Sequence, residues 1–273
     1  MKITKNPNAK ATIPEIRGSF ANIRYPCFGE IKYDGEAIVI SHNIERDITT
    51  TNKYGTMRSN WSKLNEIQTL LVNRGVSEAI FLGELFWSHG GSGMLYELLK
   101  HKTDDNLNIR IYDIAHLTTA DYTVDSTTEL LDRKEVLTDL FSLTDFIVRP
   151  EVMHNKDEAR SYFKKVTNVG YEGIVLKMFD GRLTKGPCAW VKMKYKDRNE
   201  YTVVYVDPTL ERIKVEVVVG VVGLSGRKVK VGCKCPNRYK QYVKVGDKVT
   251  IEHQGILPSG SLRHPVYVPP LTQ

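Results

Sequence analysis

Cysteine is scarce in this 273-residue chain, and what there is builds neither a zinc knuckle nor a disulfide framework. The four are Cys27, Cys188, Cys233 and Cys235. The only close pair is Cys-Lys-Cys, too tight for metal-ligand spacing and awkward for a disulfide, so all four read as reduced thiols. Long apolar runs are missing as well: nothing approaches the ~20 residues of a membrane span. After its lysine, the opening Met-Lys-Ile-Thr-Lys-Asn-Pro has no hydrophobic stretch that would serve as an export signal, so a cytoplasmic protein with no membrane partner is expected. Internal repeats and low-complexity tracts are also absent. What remains is a globular chain, 41% hydrophobic, of a length that suits one large domain or a large one with a small one. A net charge of +7 and a pI near 9.1 favour a polyanionic partner without identifying it.

Residues 28–40 read as two short strands meeting at Asp34-Gly35, a dipeptide suited to a hairpin, with Lys32 beside the turn. Apolar residues at Trp61, Leu64, Ile67, Leu70 and Leu71 have helical spacing to about Arg74, and Ala79 to Phe86 is an apolar run of strand length. Asn108 to Ile114 is a strand. Ser126 with Glu129 is a capping-box signal for a helix to about Leu140, and a further helix covers Asp157 to Asn168. Gly173 to Met178 and Ala189 to Tyr195 are strands. With no regular βαβ rhythm, the expected class is α+β. Past Lys192 to Glu200, β-branched residues dominate Tyr201 to Val206, Lys214 to Val222, Lys228 to Val231 and Lys248 to Ile251. That predicts a small all-β domain, an OB-fold or an SH3-like barrel, with the boundary near Asp197: residues 1–197 and then 198–273.

The chemistry starts at Glu30-Ile31-Lys32-Tyr33-Asp34-Gly35. A lysine amine that attacks phosphorus must be unprotonated, and neighbouring cations or burial favour that state. Alone, Lys-x-Asp-Gly also suits any surface hairpin. Further segments follow in order: Gly83-Glu84-Leu85, Ile111-Tyr112-Asp113, Glu172-Gly173-Ile174-Val175-Leu176-Lys177 and Trp190-Val191-Lys192-Met193-Lys194. Lys192 and Lys194 alternate by two, so on a strand they share a face.

Together these segments resemble the ATP-dependent DNA ligases of the covalent nucleotidyltransferase superfamily, of minimal viral or bacterial type, over nearly the whole chain. The resemblance implies an adenylation (nucleotidyltransferase) domain followed by an OB-fold domain. It implies that Lys32 takes AMP from ATP, passes it to a 5′-phosphate at a nick in duplex DNA, and that a 3′-hydroxyl then displaces AMP, the chemistry of replication and repair. By the same resemblance Tyr112 stacks on adenine, Glu30 touches the adenine edge, and Glu84 binds ribose or a metal-bound water. Glu172, with Glu84, holds Mg²⁺ or Mn²⁺, and Lys177, Lys192 and Lys194 face the phosphates. Lys53, in Asn52-Lys53-Tyr54-Gly55, stands where the family carries an arginine, keeping the charge without the bidentate fork.

Three departures matter. Ala37 occupies the position at which DNA ligases usually place an arginine, which leaves room for an RNA ligase of the same superfamily. Pro258 to Pro265 resembles the end of the ligase OB domain and speaks against a capping guanylyltransferase, yet the family's final Arg-x-Asp-Lys box does not follow. Arg263 or Lys248 substitutes for it, or enzyme adenylation is slow. The lysine motif also falls too early for an N-terminal DNA-binding domain to precede it. The expected partner is nicked duplex DNA, bound by a monomer in a bacterial or virus-infected cell. Phosphate contacts would come from Arg227, Lys228, Lys230 and Arg263, with Lys234, Arg238, Lys240 and Lys244 nearby. A rival of another class is a non-catalytic OB-type nucleic-acid-binding protein.

Overall fold

Alternation of buried and exposed side chains sorts the first part of the chain into two antiparallel sheets. The computed structural model describes residues 23–58, 62–87, 107–183, 190–219, 227–257 and 259–270, together with Leu95 and Leu99. Trp61, Cys188, Ala189, Pro258, residues 220–222 and the opening segment lie outside the described residues. Two compact units result, Met1–Lys194 and Tyr195–Gln273.

In chain order the first unit contains β1 (Cys27–Lys32), β2 (Gly35–Asn43), β3 (Arg46–Asn52), β4 (Met57–Arg58), α1 (Ser62–Asn73), β5 (Glu78–Trp87), β6 (Leu107–Thr118), β7 (Thr123–Val124), α2 (Leu130–Leu140), β8 (Glu151–Met153), α3 (Lys156–Asn168), β9 (Gly173–Met178) and β10 (Trp190–Lys194). The second contains β11 (Asp197–Val206), β12 (Arg212–Val219), β13 (Arg227–Lys234), α4 (Asn237–Lys240), β14 (Lys248–His253) and β15 (Val266–Val268).

Strand order is β4-β3-β2-β5-β6-β7 in one sheet and β10-β9-β1-β8 in the other. Helix α1 buries Leu64, Ile67 and Leu71, a single face at helical spacing, in a core with Ile38, Ile40, Phe81 and Leu85 of the six-stranded sheet. Helix α3 buries Ala159, Tyr162 and Val166 with Cys27, Ile174, Leu176 and Val191 of the four-stranded sheet. Its start is fixed by Asn155, whose side chain accepts from the amides of Asp157 at 3.0 Å and Glu158 at 2.9 Å. The remaining sheet faces meet through Val39, Leu82 and Trp190. Full burial of each such side chain contributes about 1.5–3 kcal/mol.

Two expectations are corrected. Strands β1 and β2 do not form a hairpin: β1 pairs with β8 and β9, and β2 with β3 and β5. The chain changes sheets at Asp34-Gly35, and Gly35 is not among the positive-φ glycines. A Cβ there would lie 2.1 Å from the Leu85 carbonyl oxygen, so glycine serves close strand approach rather than a turn. Ser126 does not cap α2 either. Asp125 takes the amides of Thr127 and Thr128 into a local turn, and the helix starts after an N-cap residue, Glu129, that makes no side-chain cap.

In the second unit β11-β12-β13-β15-β14 form a closed five-stranded barrel. Ile213, Val215 and Val217 point inward, while Arg212, Lys214 and Val218 between and beside them are exposed. The short β15 was not among the β-branched runs of the sequence, and it closes the barrel through Lys234↔Val266. No helix among the described residues is long and apolar enough to cross a membrane.

Candidate active site

Antiparallel register turns separate motifs into one surface. Across β1 and β9 the partners are Phe28↔Lys177, Glu30↔Val175 and Lys32↔Gly173. Across β10 and β9 they are Trp190↔Lys177, Lys192↔Val175 and Lys194↔Gly173. Directly opposed residues share a face, so Glu30, Lys32, Lys177, Trp190, Lys192 and Lys194 all point toward the six-stranded sheet. That sheet answers with the row Ala37↔Glu84↔Arg110 and with Tyr112. The cavity between them is lined by Glu30, Ile31, Lys32, Tyr33, Ala37, Glu84, Tyr112, Val148, Val175, Lys177, Trp190 and Lys192.

Two glycines allow the walls to approach. At Gly173, with φ +151°, a Cβ would lie 1.9 Å from the Met193 carbonyl oxygen. Gly35 presents its amide to Glu84 Oε1 at 3.1 Å. Between these glycines, Glu172 receives Lys32 Nζ on Oε2 and Lys194 Nζ on Oε1, the latter at 2.5 Å.

Electrostatics follow from burial and crowding. Glu84 is pushed up to about 7, first by burial and then by the Coulombic influence of Glu172, against the opposing pull of Lys32. Lys192 is lowered by burial and by the Lys32 and Lys194 ammoniums. Lys177 falls to about 8 because it is buried, although Glu30 opposes the shift. Its Nζ lies 4.0 Å from the centroid of the Trp190 ring and 5.0 Å from that of Tyr112. These two rings meet edge to face at 5.9 Å. Aromatic walls at one end and a row of ammoniums at the other suit a purine nucleotide, base first and phosphates toward the lysines.

Comparison with known proteins decides the family. Residues 9–194, well over half the chain, match the ATP dependent DNA ligase domain. The chain belongs to the ATP-dependent DNA ligase family. Among solved structures sharing the fold of this ligase-family chain, Pmar-Lig_Pre has a TM-score of 0.72 at 18% identity, covering 94% of this chain and 66% of that one. This chain therefore spans slightly under two thirds of that structure's length. A Lig E DNA ligase, described as binding DNA with a minimal scaffold, has a TM-score of 0.67 at 14% identity, with 94% and 97% covered. The ATP-dependent DNA ligase of bacteriophage T7, in complex with ATP, has a TM-score of 0.54 at 17% identity, with 96% and 99% covered. No curated protein is similar enough in sequence to count as a match.

Against the ligase motifs, the structure brings together Lys32, Glu30, Glu84, Tyr112, Lys177 and Lys192 as cavity lining, with Glu172 ion-paired to Lys32 and Lys194 paired in turn with Glu172. Lys177 stands apart from Lys192 and Lys194: it is 1% exposed and paired with Glu30 Oε2 at 2.5 Å, beneath the rings. Lys53 is not among the cavity residues. It is exposed, its ammonium 4.9 Å from the Tyr54 ring centroid. Its neighbour Asn52 instead organises the loop by accepting from the amides of Tyr54 and Thr56. Arg227, Lys228 and Lys230 are exposed on β13, with Lys228 2.9 Å from Glu216, and Arg263 belongs to the barrel unit.

Among the described residues no group of three or more His, Cys, Asp and Glu gathers to hold a metal unaided. Glu172 and Glu84 are nevertheless hard oxygen donors of the kind Mg²⁺ accepts beside phosphate and water. Sequence reading missed Trp190 as a cavity wall, Val148, and the buried cations Arg133 and Lys134. Arg133 grips Asp113 with two bonds, at 2.7 and 3.0 Å. A helix-borne Arg-Lys pair carries no signal that would separate it from a solvated face.

Proposed function

We propose that this chain is a DNA ligase that uses ATP to seal 5′-phosphate/3′-hydroxyl nicks in duplex DNA. The observation that carries the proposal is the convergence of Lys32, Glu84, Tyr112, Glu172, Lys192 and Lys194 around one cleft, from strands of two sheets and the residue preceding β9. In this reading residues 1–197 are the adenylation domain and 198–273 an OB-fold domain, and Arg227, Lys228, Lys230 and Arg263 contribute DNA contacts.

Tyr112 and Trp190 enclose the base, while Glu84 receives a ribose hydroxyl. Lys32 Nζ loses its proton and attacks the α-phosphorus: a P–N bond forms, the P–O bond to the β-phosphate breaks, and pyrophosphate leaves. Lys192 and Lys194 offset the charge that develops on the phosphoryl oxygens. The 5′-phosphate of the nick then displaces Lys32 from AMP, and the 3′-hydroxyl displaces AMP to form the phosphodiester. Glu172 with Glu84 would hold Mg²⁺ or Mn²⁺, which when bound supplies further neutralisation of phosphate charge.

The test is sealing of a singly nicked, 5′-phosphorylated duplex with ATP and Mg²⁺, beside a matched single-stranded RNA and a Lys32→Ala control. Joined DNA together with an enzyme labelled by [α-³²P]ATP is expected, with both lost in Lys32→Ala. Joining of RNA alone would replace the proposal with an RNA ligase, as Ala37 allows. An unlabelled protein that still binds DNA would make it a non-catalytic binding module.

A further inference from the structure

Beneath the cavity floor lies a lysine that belongs to none of the ligase motifs. Lys134, one turn into α2, is 3% exposed. A helix lysine ordinarily keeps its ammonium in water, because an unpaired buried charge costs several kcal/mol. Here the Nζ meets Glu30 Oε1 and donates to the Tyr112 carbonyl at 2.6 Å. Lys177 repeats both contacts from β9, at 2.5 Å to Glu30 Oε2 and 3.1 Å to the same carbonyl. Each oxygen of Glu30 is thus held by its own ammonium, and the strand segment that carries the Tyr112 ring is tied to the same two cations.

Glu30 also lines the cavity. A carboxylate has about four lone-pair positions, so one contact per oxygen leaves acceptor capacity free. Pinned in this way, the group receives a hydrogen bond from an amino substituent and repels a carbonyl oxygen. Adenine carries an amino group at its 6-position, guanine a carbonyl. Building on the ligase reading above, we propose that Lys134 is a positioning residue for nucleobase selection, fixing Glu30 and the Tyr112 backbone so that a 6-amino purine is accepted and a 6-oxo purine refused. Lys177 alone holds only Oε2 of Glu30, and the other oxygen is held by Lys134.

The experiment compares enzyme labelling by α-labelled ATP, GTP and purine riboside triphosphate, which has no 6-substituent, in the full chain and in Lys134→Met and Lys134→Gln. The unmodified protein is expected to prefer ATP over purine riboside triphosphate by about tenfold or more in kcat/KM, the strength of one hydrogen bond to a charged acceptor. In either variant that ratio falls below about threefold, through a raised KM for ATP with kcat at saturation little changed, while discrimination against GTP weakens in parallel. Lys134→Gln keeps a donor for the Tyr112 carbonyl and serves if the methionine variant does not fold. A ratio unchanged in a folded variant, whatever the loss of overall rate, overturns the proposal, as does an unmodified protein indifferent to the 6-amino group. A protein labelled by no nucleotide overturns the ligase reading itself and this inference with it.

Discussion

Two glutamates of the first unit each hold two lysines, one pair of lysines sealed from water and the other open to it. Around Glu30, the side chains of Lys134 and Lys177 are 3% and 1% exposed. Around Glu172, those of Lys32 and Lys194 are 14% and 28% exposed. The charge count is the same, but the surrounding medium is not, and the strength of each attraction and the cost of breaking it scale with that medium. A sealed cluster cannot lose a member without leaving a buried charge unpaired. A partly solvated one can trade a carboxylate for a phosphate oxygen and back. The first arrangement suits a floor, the second a site where ammonium groups change partners during a reaction.

Removing each carboxylate sharpens the contrast. Glu30→Ala leaves two ammoniums facing each other in the interior and is expected to cost roughly 3–5 kcal/mol. In a unit of this size that lowers the melting temperature by roughly 10 °C, measurable by calorimetry. Glu172→Ala is expected to cost less than Glu30→Ala, because Lys32 and Lys194 keep contact with water that can replace the lost partner, but it lowers ATP-dependent labelling by about a hundredfold. Equal melting temperatures for the two variants would mean that burial does not set the two clusters apart.

A smaller effect separates the clusters by pH. Lys177, lowered to about 8 chiefly by burial, binds its proton less tightly folded than unfolded. Between pH 8 and its unfolded pKa of about 10.4, the unfolded chain holds that proton and the folded chain does not, so folding stability rises with pH across this window. Below pH 8 the penalty is present in full. Lys177→Met is expected to remove this contribution, so the stability difference between variant and parent changes over pH 8–10 and stays flat over pH 6–7.5. Denaturant melts at four pH values check it, and a difference that stays constant to pH 10 would show that the ammonium is not strained by its burial.

Much of the site was legible because its motifs lie on strands, where spacing dictates facing: Lys192 and Lys194 had to share a side, and the order Lys32, Glu84, Tyr112, Glu172, Lys192 carried the family resemblance. Sheet membership was not legible. Asp34-Gly35 has the local chemistry of a turn, but β1 finds its partners in β8 and β9, distant in sequence, and long-range pairing overrules the dipeptide. The Ser126 signal failed because Asp125 takes the Thr128 amide that a Ser126 cap would use, and with it that of Thr127. Lys134 was invisible for a related reason: nothing in the sequence of α2 says that one of its charged residues faces inward, since its counterion, Glu30, sits on another element. The barrel was anticipated from its β-branched runs, whereas the three-residue β15 that closes it was too short to register.

The barrel provides a third regime, charges in full contact with water, and the smallest expected effect. On β13, Lys228 and Lys230 alternate onto the same outer face, opposite Val218 and Glu216 of β12 respectively. Lys228 is 2.9 Å from Glu216, so part of its field is already neutralised, whereas no ion pair of Lys230 is found among the described residues. If this face meets phosphate, Lys230→Ala weakens binding to nicked duplex a few-fold and lowers the slope of log affinity against log salt by about one, since one fewer counterion is released. Lys228→Ala should move the slope less, because its cation is partly compensated before DNA arrives. Fluorescence anisotropy between 50 and 200 mM salt distinguishes the two. Equal slopes would mean that the Glu216 pair dissolves in solution, as exposed pairs worth less than 1 kcal/mol can. No change in either variant would move the DNA-binding surface off this face of the barrel.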